Sequence, residues 1–159
     1  MKKNLYSSLF LVFFILGAIS LGHTEDESFH DIKVPDSKGK EVNATLTFSD
    51  RHKAIEIRPE RGSAVTIPYS EIDRCAYEYT KQHRVSEGSL ATVPIGVGAV
   101  LMLTKSKSHW LEIDYEEQNI RKAYVVRMDK HDYLRILEAL EAHTGKDAEV
   151  LGNADKRRR

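Results

Sequence analysis

Residues 41–79 read EVNATLTFSDRHKAIEIRPERGSAVTIPYSEIDRCAYEY, and their two-residue period decides the fold. Val42, Ala44, Leu46 and Phe48 alternate with Asn43, Thr45, Thr47 and Ser49, the pattern of a strand with one buried face. Ser49-Asp50 turns the chain, and Ile55 and Ile57 then alternate with Ala54, Glu56 and Arg58. Pro59 to Gly62 turns it again before Val65 and Ile67. Pro68-Tyr69-Ser70 interrupts that short strand, and Ile72 leads into a fourth through Cys75, Tyr77 and Tyr79. The links are too short for the helical crossover that parallel strands need, so the strands are antiparallel hairpins.

Further along, Leu111, Ile113 and Tyr115 alternate with Trp110, Glu112 and Asp114. After the polar turn Glu116 to Asn119, the strand of Tyr124, Val126 and Met128 has apolar groups on both faces, which places it inside the sheet. A helix closes the domain. Asp129 is the expected N-cap, with Asp132 three residues later in a capping-box arrangement. Tyr133, Ile136, Leu137 and Leu140 form one apolar stripe, and Gly145 ends the helix. Residues 146–159 lack a periodic face and read as a mobile tail with a basic end. Residues 23–40 read as a polar leader that contributes at most one edge strand, from Phe29, Ile32 and Val34.

The chain begins with Lys2 and Lys3, followed by the uncharged run LFLVFFILGAISLG from Leu9 to Gly22 and then by HTEDES. A basic start, a short apolar core and small residues before a polar stretch describe a secretory signal peptide, residues 1–22, cut after Gly22 or after Ser20. The run is shorter than the roughly 18–20 residues that span a bilayer, so export to a periplasmic or secreted location is expected, with an N-terminal anchor as the alternative. The remaining chain carries a formal charge of −2, and its body without Lys156 to Arg159 is nearer −6. Such a body does not neutralise phosphates, so nucleic acid is not an expected partner. Cys75, the only cysteine, cannot form an internal disulfide and fits a buried position in its strand. The 159 residues, 41% hydrophobic and 30% charged, fit one globular domain and exclude a disordered chain or a collagen-like repeat.

One segment stands apart. Residues 88–104 read GSLATVPIGVGAVLMLT, uncharged from Ser89 to Thr104 and followed by Lys105 and Lys107. Two readings stand: a buried core element inserted between two parts of the sheet, or an apolar hairpin that docks on a membrane or partner. In the second, Leu90, Val93, Ile95, Val97, Val100 and Leu101 enter the interface with Trp110, while Lys105 and Lys107 meet anionic groups.

Catalytic chemistry is not written in the sequence. Gly96-Val97-Gly98 lacks the third glycine of a dinucleotide fingerprint, and there is no G-x-S-x-G elbow. The seven histidines show no helical pair of the zinc-protease kind, though His83 and His109 flank the uncharged segment and meet if it is a hairpin. Glu112, Asp114, Glu116 and Glu117 read as a solvated face. No cofactor or metal is expected. Asn43-Ala44-Thr45 is a glycosylation sequon in a host that uses such sites.

The segments TLTFSDRHKAIEIR, VTIPYSEIDRCAYEY, HWLEIDY and DYLRILEALEAHTG resemble the PH/GRAM-like (pleckstrin-homology-like) domains of exported bacterial proteins, across residues 41–145. The resemblance implies an α+β fold: mainly antiparallel strands, as a PH-like barrel or two-sheet sandwich, closed by one C-terminal amphipathic helix, with 88–104 as an insertion. It also implies a non-enzymatic module that binds lipids, peptides or partner proteins. Lipid-binding members use a basic loop between the first two strands; here that loop holds only Asp50, Arg51, His52 and Lys53. The expected function is thus an exported binding module, meeting a protein or making peripheral contact with a membrane. Two alternatives stand beside it: a small hydrolytic or metal-dependent envelope enzyme built on His83 and His109, and a self-associating structural protein of the envelope.

Overall fold

The computed structural model describes residues 26–36, 40–83 and 102–151. It contains eight strands: β1 (Glu27–Pro35), β2 (Glu41–Ser49), β3 (Ala54–Pro59), β4 (Val65–Pro68), β5 (Ile72–His83), β6 (Met102–Glu117), β7 (Ile120–Met128) and β8 (Ala148–Leu151). A single 3-10 turn, Tyr69–Glu71, links β4 to β5, and the helix α1 (Tyr133–Thr144) lies between β7 and β8. The result is the expected class, a mostly antiparallel sheet with one helix towards the C-terminus.

All eight strands belong to one open sheet in the order β4-β3-β2-β1-β7-β6-β5-β8. It consists of two runs of neighbours in sequence. Strands β1 to β4 pair antiparallel with one another, as do β5 to β7, and β8 adds to β5 in parallel through Cys75↔Ala148 to Glu78↔Leu151. The two runs are joined at one register pair, Lys33↔Arg127. Side chains from both runs and from α1 fill a single core that includes Phe29, Leu46, Phe48, Ile57, Leu111, Ile113, Val126, Ile136 and Leu140. Each such side chain withdrawn from water contributes about 1.5–3 kcal/mol.

Several boundaries differ from those expected. The polar leader supplies β1, which lies in the middle of the sheet and not at its edge. Its Phe29, Ile32 and Val34 are buried, and a register shift between Phe29 and Ile32 had broken the two-residue period. The tail supplies β8, where Ala148 is buried against the core. Strand β6 begins at Met102, so the last residues of the 88–104 segment are already strand. Residues 84–101, together with residues 1–22, read from the sequence as a signal peptide, and the end of the tail, lie outside the described residues.

The helix starts three residues later than its expected cap. Asp132 occupies the N-cap position. Asp129 instead organises the turn leading in: its carboxylate accepts from the His131 amide at 2.8 Å and its carbonyl from the Tyr133 amide at 3.0 Å. Gly145 ends the helix as expected, at φ 67° in the left-handed region. Its amide donates to the Glu141 carbonyl at 2.8 Å. The β6–β7 hairpin turns on Gln118 and Asn119, both with positive φ, as a two-residue turn matched to strand twist requires.

Candidate functional site

The long strands β5 and β6 stay paired as far as His83↔Met102, the described residues on either side of 84–101. A cleft of about 310 Å³ opens over the join between the two runs of strands. Asp31 and Lys33 come from β1, Tyr79 from β5, Lys107, Ser108 and His109 from β6, Arg127 and Met128 from β7, and Asp129 and Lys130 from the turn before α1. Four cations therefore share the lining with two carboxylates.

The cleft has an aromatic base, because β5 and β6 place Tyr77, Tyr79 and His109 on the side of the sheet that meets α1. Tyr79 pairs in register with His109, and their rings lie 4.6 Å apart. His109 stacks on Tyr133, the first residue of α1, with centroids 3.8 Å apart, and its Nδ1 shares a 2.7 Å hydrogen bond with the Tyr77 hydroxyl. The Lys107 ammonium stands 5.6 Å above the Tyr79 ring, a cation–π contact of about 0.5–1 kcal/mol at an exposed position. Arg127 is held by Glu41 at 2.7 Å.

The sequence-predicted residues are distributed differently. Leu90, Val93, Ile95, Val97, Val100 and Leu101 lie outside the described residues. Lys105 falls within β6, and Lys107 is exposed beside the cleft. Trp110 is not a surface residue: it is fully buried, and its indole N–H donates to the Thr80 carbonyl at 3.1 Å. His83 and His109 do not meet across a hairpin, since His83 pairs with Met102 and His109 with Tyr79, four residues and about 13 Å back along β5. Nor is His109 a surface histidine, with 8% exposure under the aromatic stack.

Glu112 also departs from expectation. It is buried, with its carboxylate 3.6 Å from the Arg74 guanidinium, which also holds Asp114 at 2.8 Å and Glu149 at 3.2 Å. This cluster ties β5, β6 and β8 together. Cys75 is buried as expected, and burial, helped by the Asp114 charge, pushes its thiol up to about 12, which disfavours a nucleophilic thiolate. Among the described residues no group of three or more His, Cys, Asp or Glu side chains could hold a metal ion. Asn43 is exposed on β2 and donates to Glu60 at 3.3 Å.

Sequence reasoning missed Lys33, Arg127 and Lys130 as companions of Lys107. They are far apart in the chain, and only the β1–β7 join, which no local pattern signals, brings them to one cleft. No helix among the described residues is long and apolar enough to cross a membrane. Neither a protein-family model nor a curated protein matches the sequence. Among solved structures, the chain is similar to one described as the structure of the Spt16D Pob3N heterodimer, with a TM-score of 0.45 and 12% sequence identity. The match covers 79% of this chain and 54% of that one, so the present chain spans about half the length of its neighbour.

Proposed function

We propose that this chain is an exported, non-enzymatic binding module that attaches to an envelope surface by the end of the sheet where β5 and β6 open into residues 84–101. The observation that supports this reading is the cleft over β1, β5, β6 and β7, where Lys33, Lys107, Arg127 and Lys130 gather around an aromatic base. Residues 1–22 direct export, and the uncharged run from Ser89 supplies the apolar part of the contact beside the lysines. The fold is consistent with such a role: its core holds the cleft rigidly and leaves the strand ends to do the binding.

Sedimentation of the exported chain with vesicles tests the membrane form of this attachment. The expected outcome is co-sedimentation with vesicles rich in phosphatidylglycerol but not with phosphatidylcholine alone, weakening as salt screens the lysines. Val97→Asp with Leu101→Asp should abolish it while circular dichroism stays native. A well-folded chain that remains in the supernatant would overturn membrane attachment and leave a protein as the surface.

A further inference from the structure

We propose that the cleft at the join of β1 and β7 is a docking site for a short acidic peptide segment of a partner protein, a reading that builds on the assignment of the chain as a binding module. Several cations outside the cleft are answered by carboxylates. Lys53 has Asp50, Arg58 has Glu56, Lys122 has Glu117, and Arg135 has Glu27 and Asp132. In the cleft only Arg127 is, by Glu41. Lys33, Lys107 and Lys130 have no carboxylate partner among the described residues, although all three line the same 310 Å³ space. Three unanswered ammonium groups facing one cavity favour an anionic occupant, because each gains a partner without first losing one.

The rest of the lining selects among anions. Asp31 and Asp129 share the cavity and would repel the concentrated charge of a phosphate. A polypeptide suits both signs: its Glu or Asp side chains reach the lysines while its backbone N–H groups donate to Asp31 and Asp129. Strands β1 and β7 pair only at Lys33↔Arg127, so the wall of the cleft is also a place where two strand edges part. An extended segment can lie against such edges and use their main-chain groups. The Tyr79 ring beneath Lys107 adds a flat surface for the methylene groups of a Glu side chain.

The test is a titration of the 15N-labelled full chain with N-acetylated, C-amidated hexaglutamate, read by amide chemical shifts, with hexaglutamine and inorganic phosphate as parallel probes. Hexaglutamate should move the amides of 31–33, 107–109 and 127–130 in a salt-dependent way, and hexaglutamine should not. Lys33→Glu and Lys107→Glu, both at exposed positions, should each weaken the response on the order of tenfold, as expected for losing a charge-assisted contact. Absence of shifts at millimolar peptide, shifts mapping elsewhere, or an equal response to phosphate would each overturn the proposal. Val97→Asp with Leu101→Asp separates the two readings, since it should remove surface attachment and leave the hexaglutamate response intact.

Discussion

Trp110 and Glu112 are two residues apart on β6 and point to the face opposite Leu111 and Ile113, yet both are buried. Alternation in sequence identified the two faces correctly but could not show that both are out of solvent, so a buried indole was read as surface and a buried carboxylate as solvated. Replacement measures the difference. Trp110→Ala should cost about 3–5 kcal/mol in urea unfolding, as for any large core side chain, whereas an exposed residue would change stability by less than about 0.5 kcal/mol. Arg74→Ala should cost about 2 kcal/mol, because it takes the guanidinium from buried Glu112; the cost falls below the roughly 3–5 kcal/mol of a fully buried pair since Arg74 itself is 36% exposed. Glu149→Gln, at the exposed end of the same cluster, should fall within about 0.5 kcal/mol.

At the level of elements, what was legible depended on whether the signal was local. Strands β2 to β5 and the apolar stripe of α1 follow from residues close in sequence, and the structure contains them. Strand β1 was legible only as an edge strand, because His30 and Asp31, both exposed, fall at its register shift and interrupt the period that would have marked it as central. Strand β8 escaped because four residues are too few to show a period; it exists through pairing with β5. The end of α1 was legible in one glycine. At φ 67° a side chain is strained, but an added Cβ would meet nothing within 4 Å. Gly145→Ala should therefore cost only the backbone term, about 1–2 kcal/mol, and lower the thermal midpoint without changing the fold seen by circular dichroism.

For the molecule as a whole, ionisation behaves asymmetrically with pH. Burial raises the Cys75 thiol and the Tyr115 and Tyr124 phenols to about 12 each, and raises Tyr69 in the same direction. Groups whose folded values are raised contribute stability that is complete below their ordinary values of 9.0 and 10.0 and is lost as pH climbs towards 12. On the acid side, Asp50 is lowered by its hydrogen bond from His143 and Glu56 by its bond from His52. Their side chains keep 19% and 12% of their surface exposed, and their contribution fades only as pH falls below about 4. Urea midpoints across the pH range should show a broad neutral plateau, a shallow acid decline and a steep alkaline loss beginning near pH 9. A flat alkaline limb would contradict burial of these groups.

The same view of the whole shows why the fold was more readable than the cleft. Each run of strands is built from neighbours in sequence, whereas the cleft exists only where Lys33 meets Arg127. That single join also has a meaning in time. As the polypeptide is made, strands β1 to β4 can find one another while β5 is still being synthesised, but the outer edge of β1 must wait for Arg127. Until then it is an open edge able to pair with any passing strand, the kind of edge that invites aggregation. The residues that finish the cleft are thus the ones that retire this hazard, so an incomplete chain both lacks the cleft and is prone to stick.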